Sequence, residues 1–133
     1  MGSMLLDTHA LVWYLEGSPR LSPTALAAIR GSIAAGDAVH VSSVTITELI
    51  YLVEKGRIAP LLLDQLLGAF RRPDSGLVAT PFDLESAEAM RRIPRGIVLD
   101  MPDRMIAGTA LHLGLPLVTR DAKIRAAPLV TIW

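Results

Sequence analysis

The chain has 133 residues, 51% of them hydrophobic and 20% charged, with 13 cations balanced by 13 acids. That describes one globular domain and excludes a disordered chain, and the zero net charge gives no whole-molecule argument for a nucleic-acid partner. No apolar run approaches the roughly 20 residues that span a bilayer, and the absence of cysteine removes disulfides, thiolate metal sites and cysteine nucleophiles, as fits a reducing, cytoplasmic setting.

Met1-Gly2-Ser3 ahead of Met4 reads as an expression scar, which leaves 4–133 as the domain; no signal peptide is visible. Met4-Leu5-Leu6 is a short apolar run ending at Asp7, a buried strand leading into a helix over Thr8–Leu15 that Glu16-Gly17-Ser18-Pro19 stops. Ser22-Pro23 opens a second helix, with serine as cap and proline in the first position; Leu26, Ile29 and Ile33 form its apolar face, and Gly36 ends it. Ala38–Ser42 reads as a strand. Thr45–Glu54 follows as a helix, with Ile46, Leu49, Ile50 and Val53 at helical spacing and Gly56 just beyond its end.

Leu61–Phe70 is amphipathic in the same way, and Leu77–Thr80 is strand-like. Asp83 caps a helix running to about Ile93. Asp103–Leu113 is apolar on nearly every face, so it belongs at the centre of the fold. Leu117-Val118-Thr119 is a strand that stops at Arg120-Asp121, and Leu129–Ile132 is a last one. Strands alternating with helices imply an α/β domain: a mostly parallel sheet of four to five strands with helices on both faces. In such sheets ligands bind beyond the carboxyl ends of the strands.

Four acids fall at that edge. Asp7 and Asp121 follow short strands, while Glu48 and Asp103 fall in the first turn of helices that start from the same side. Taken one at a time each has a structural explanation. Asp7 and Asp121 are helix caps, Thr45-Ile46-Thr47-Glu48 has the form of a capping box, and Asp100-Met101-Pro102-Asp103 is a cap with an acid in the first turn. Taken together they form a pocket in which each carboxylate raises the pKa of the others unless a cation joins them. Carboxylate oxygens select hard divalent ions, Mg²⁺ or Mn²⁺. The three histidines show no ligand spacing, which argues against zinc. Metal held by strand-end acids suits hydrolysis of a phosphodiester.

Leu5-Leu6-Asp7-Thr8-His9-Ala10-Leu11-Val12-Trp13 resembles the opening motif of the PIN-domain family. Thr47-Glu48-Leu49 is similar to the second motif, Asp100-Met101-Pro102-Asp103-Arg104-Met105-Ile106-Ala107 to the third, and Leu117-Val118-Thr119-Arg120-Asp121 to the fourth. The size resembles the stand-alone VapC-like toxins of type II toxin–antitoxin modules. The resemblance implies a three-layer α/β/α PIN-like domain and a Mg²⁺- or Mn²⁺-dependent endoribonuclease acting on RNA. Asp7 and Asp103 would be the main metal ligands, with Glu48 and Asp121 completing the site and Thr119 and Thr8 supporting it through their hydroxyls. Arg104 would contact an RNA phosphate or pair with an acid; Asp100 is read as a cap. The implied partners are a second copy of the chain, forming a homodimer, and a cognate antitoxin whose peptide covers the acidic pocket.

Arg120 is a departure, placing a cation beside Asp121 where an ion pair would occupy that carboxylate. Arg71-Arg72 and Arg91-Arg92-Arg95 read first as solvated helix ends and second as flanks of an RNA path. The helices from Thr45 to Phe70 carry more apolar positions than one buried face needs, which suits simple burial or a partner. A receiver-type signalling domain would need an acid beside Asp7 and a lysine ending the last strand, and has neither. A dehalogenase-type phosphatase would need an acid where His9 stands. A catalytically silent PIN-like binding module is the remaining rival.

Overall fold

The computed structural model describes residues 2–133. Of the segment read as an expression scar, Met1 lies outside the described residues, whereas the Gly2 carbonyl accepts a hydrogen bond of 2.6 Å from the buried Ser32 hydroxyl. Five strands form one sheet: β1 (Met4–Leu6), β2 (Val39–Ser42), β3 (Leu77–Thr80), β4 (Leu117–Val118) and β5 (Thr131–Ile132). Their order is β3-β2-β1-β4-β5 and every pairing is parallel. Among the described residues seven α-helices surround it: α1 (Thr8–Glu16), α2 (Pro23–Ala34), α3 (Ser43–Glu54), α4 (Pro60–Phe70), α5 (Leu84–Ala89), α6 (Met101–Leu113) and α7 (Ala122–Arg125). None of them is long and apolar enough to cross a membrane.

Strand side chains alternate between faces, and that divides the interior in two. Met4 and Leu6 join Leu11, Ile29, Val41, Leu49 and Leu66 in one apolar core. Leu5 joins Ile93, Val98, Ile106, Leu117 and Ile124 in the other. The expected three layers are therefore present. Helix α6 is central as its composition demands, with Ile106 through Ala110 buried in an unbroken run.

Several boundaries differ from expectation for local reasons. Helix α3 begins two residues early because the Ser42 hydroxyl, not that of Thr45, accepts from a first-turn amide, Val44 N at 3.1 Å. Glu48 thus lies in the second turn of α3 and the capping box does not exist. Helix α6 starts at Met101, with Pro102 in its opening positions. The helix opened by Asp83 ends at Ala89 and tightens into a 3₁₀ turn over Met90–Arg92. Pro94 excludes helical backbone from Ile93, which is extended at φ −94°, ψ 114°.

Candidate active site

The chain order reverses direction in the sheet at β1 and β4, the switch point where a crevice opens beyond the carboxyl edge. A cleft of about 630 Å³ lies there, lined by Asp7, Glu48, Asp100, Asp103 and Asp121 together with Thr8, His9, Trp13, Arg20 and Arg120. Five of the chain's 13 acids thus converge from positions as far apart as 7 and 121.

Asp7 leaves β1 directly. Its backbone N–H donates to the Val118 carbonyl at 3.1 Å, extending the β1–β4 ladder to the mouth of the cleft. Its Oδ1 accepts from Ala10 N at 2.8 Å, so the same residue caps α1 and is held still by doing so. Burial pushes its pKa up, against the opposing effect of a Thr119 hydroxyl hydrogen bond. The Thr119 hydroxyl accepts from Asp121 N at 3.1 Å. Asp121 caps α7, its Oδ1 accepting from Lys123 N at 2.8 Å and Ile124 N at 3.3 Å.

Glu48 is set by a chain of hydroxyls. Thr8 Oγ1 donates to Glu48 Oε1 at 2.6 Å. Since Thr8 has one hydroxyl proton, the 3.0 Å contact between Thr8 and the buried Thr45 is donated by Thr45. Burial raises the Glu48 pKa and the Thr8 bond lowers it. Thr45 was not among the expected site residues; its partner is 37 residues away in sequence, and no local signal marks it.

Asp103 lies in the first turn of α6 and is the most perturbed of the five. Its carboxyl is pushed up to about 7, first by partial burial and then by the charges of Asp100, Asp121, Asp7 and Glu48. Asp100 occupies the N-cap position of α6 as expected of a cap, yet its side chain makes no capping hydrogen bond and lines the cleft instead. Asp7, Ser22, Ser42, Asp83 and Asp121, in the equivalent place, all bond their helices.

Two arginines depart from expectation. Arg104 does not line the cleft. One of its terminal nitrogens donates to the Met90 carbonyl at 2.9 Å and the Ile93 carbonyl at 3.1 Å, fastening the start of α6 to the end of the 3₁₀ turn. These bonds give Arg104 a structural role at the start of α6. Arg120 does line the cleft, and its guanidinium lies over the Trp13 ring, 5.5 Å from the centroid.

The donor set is all hard oxygen, which suits a divalent cation of the Mg²⁺ or Mn²⁺ type. Among the described residues no three His, Asp or Glu side chains draw close enough to grip one ion by themselves. Mg²⁺ keeps several of its waters and is held by one or two carboxylates, so an open ring of acids fits it better than a tight cage would.

Comparison with known proteins agrees with this architecture. Residues 4–129 match the PIN domain family. Ribonuclease VapC22 of Mycobacterium tuberculosis is 33% identical over the full length of both proteins. VapBC2 from Rickettsia felis, bound to a DNA fragment from its promoter, superposes with a TM-score of 0.74 at 18% identity, over 97% of this chain and 96% of the other. DNA-bound VapBC from Salmonella typhimurium gives 0.71 at 23% identity over 98% and 97%. With an acidic cleft at the switch point, a family match over almost its whole length and a full-length relative, this chain belongs to the PIN domain family, on its VapC-like branch.

Proposed function

We propose that the chain is a Mg²⁺- or Mn²⁺-dependent endoribonuclease, the cytoplasmic toxin of a toxin–antitoxin pair. The observation that carries this reading is the convergence of five carboxylates on one cleft, where burial first and the charges of the other four second push the Asp103 carboxyl up to about 7. A protein has no structural use for such repulsion, and strongly perturbed acids in a cleft mark functional sites. The named relative, a VapC ribonuclease, supports the choice of RNA as substrate.

When bound, a divalent cation supplies Lewis acidity to a water and to the phosphodiester, and neutralises the charge that develops. The protein's part is placement. Asp7, buried and fixed by Ala10 N, and Asp103, in the first turn of α6, would be the cation's principal ligands. Glu48, aimed by the Thr45–Thr8 relay, and Asp121, fixed by α7 and Thr119, would complete the ring and orient the attacking water. In-line attack breaks the bond to the 3′ oxygen and leaves 5′-phosphate and 3′-hydroxyl ends. No side-chain nucleophile is required.

A second copy and an antitoxin are the partners that fit. Tyr51 on α3 is 61% exposed and Leu61 on α4 is 65% exposed, with Ile50 and Leu67 also at the surface, so this pair of helices presents an apolar face to solvent. The VapBC neighbours are toxin–antitoxin complexes and support the antitoxin as its partner.

The test is cleavage of RNA by the purified chain with Mg²⁺ or Mn²⁺. Asp7→Asn and Asp103→Asn should each abolish it while leaving the far-ultraviolet circular dichroism unchanged, and expression in cells should arrest growth unless Asp7 is replaced by Ala. Cleavage indifferent to both substitutions, or products ending in 2′,3′-cyclic phosphate, would overturn the reading.

A further inference from the structure

The acids occupy only part of the cleft. The remaining lining is aromatic and basic, and nothing in the hydrolytic chemistry above uses it. His9 and Trp13 are four residues apart on α1 and share one face of it, with ring centroids 5.6 Å apart. Trp133, the last residue, packs its ring 5.9 Å from that of Trp13. The exposed Arg120 lays its guanidinium over Trp13, and Arg20 lines the same cleft. At about 630 Å³ the space is far larger than a hydrated ion needs and is of ligand-pocket size.

We propose that Trp13 and Arg120, with Arg20 beside them, form the subsite for the nucleotide adjoining the scissile phosphate of single-stranded RNA: the base stacks on the Trp13–Arg120 wall and an arginine meets the neighbouring phosphate. The inference rests on the nuclease reading and deepens it. Two physical needs point the same way. Five carboxylates repel every phosphate that approaches, and a cation in their midst offsets that only at the phosphate being cut. The phosphates on either side need protein cations, which a chain of zero net charge must supply locally, and Arg20 and Arg120 are the arginines in the lining. Indole and guanidinium planes are the surfaces on which unpaired bases stack, tolerant of sequence because every base has a π-face. A duplex keeps its bases inside the helix and cannot use such a wall, so the substrate class is single-stranded RNA or an unpaired loop.

The experiment measures steady-state cleavage of a fluorescein-labelled single-stranded RNA of about a dozen nucleotides, roughly one single-strand binding site, in Mn²⁺. Equilibrium binding of the same RNA is followed by anisotropy in EDTA. Arg120→Gln and Trp13→Leu should each raise KM and weaken binding about tenfold, as loss of one stacked base does. The rate at saturation should stay nearly constant, with Trp13→Phe falling between. In a Trp133→Phe background, RNA should quench the fluorescence of Trp13. Because Trp13 also packs against the core, a misfolded Trp13→Leu protein leaves the exposed Arg120→Gln to decide. Wild-type KM in a folded Arg120→Gln protein, or equal cleavage of a duplex of the same sequence, overturns the subsite while leaving the nuclease standing. Variant-sensitive binding by a wild-type protein that cuts nothing sustains the subsite and overturns the nuclease. Neither binding nor cleavage overturns both.

Discussion

At the scale of single residues, the proposed site is built from side chains that also perform a structural task. Asp7 and Asp121 cap helices with Oδ1, and the caps are what fix their carboxylates in the cleft. Glu48 has no cap to hold it and relies on Thr8, whose hydroxyl is in turn engaged by Thr45. Thr8→Val removes the donor and leaves a half-buried carboxylate short of a partner, which should cost about 1–3 kcal/mol in a urea titration. Thr8→Ser keeps the hydroxyl and should retain most of that stability. If valine and serine prove equivalent, the relay has no weight. The four acids stand out in the sequence because they fall after short strands or near the start of helices, and Thr8 and Thr119 only through the resemblance of their motifs. Thr45 and the cleft-facing side chain of Asp100 do not, because what decides their roles is a contact across the fold. Arg104 misleads for the same reason: its position beside Asp103 suggests chemistry, whereas its partners are carbonyls 14 and 11 residues upstream.

At the scale of elements, the placement of α6 governs two of the five acids. Its closest neighbour is α5, and Gly108 lets them meet. A methyl group at Gly108 would stand 2.8 Å from the Ser86 carbonyl oxygen and 2.8 Å from Met90 Cγ, and 3.2 Å from the Met90 amide nitrogen. Alanine improves helix propensity by about 1 kcal/mol, yet overpacking against backbone costs about 1–3 kcal/mol. Gly108→Ala should therefore lower Tm and also reduce RNA cleavage, since the N-terminal end of α6 moves with the rest. A variant with higher Tm would show that the neighbours give way. Helix boundaries were legible where chemistry is local: Ser22-Pro23 does start α2, and glycines at positive φ do end α1 and α6. They were less legible where several residues competed. Ser42 and Thr45 are both good caps, and only the one ending a paired strand is used. The four residues of α7 are too short for any periodicity to announce, and the last strand, expected over Leu129–Ile132, is confined to Thr131–Ile132.

At the scale of the whole molecule, the acidic cleft ties folding to protons and metal. The Asp103 carboxyl rises from its ordinary 3.8 to about 7 in the metal-free fold. Between those values the native state retains a proton that the unfolded chain has released, so stability falls as pH rises through this window and stays reduced above it. The raised pKa values of Asp7 and Glu48 act in the same sense. In EDTA, Tm should be lower at pH 8 than at pH 5.5. Mn²⁺ should raise Tm more at pH 8, where the carboxylates are already ionised, and Asp103→Asn should flatten the difference. An EDTA-treated protein with the same Tm at both pH values would contradict this account. The sheet class, its layers and the central helix were readable from alternation and composition, as was the meeting of four acids at the carboxyl edge, while the fifth, Asp100, joins them only in the fold. The strand order puts one three-residue strand, β1, between both apolar cores, with Leu5 in one, Met4 and Leu6 in the other, and Asp7 next along the chain. A change of packing on either side of the interior is thus felt at β1, one residue from Asp7. Adaptation to a new target is thereby steered outward to the rim, where side chains can change without disturbing what lies beneath.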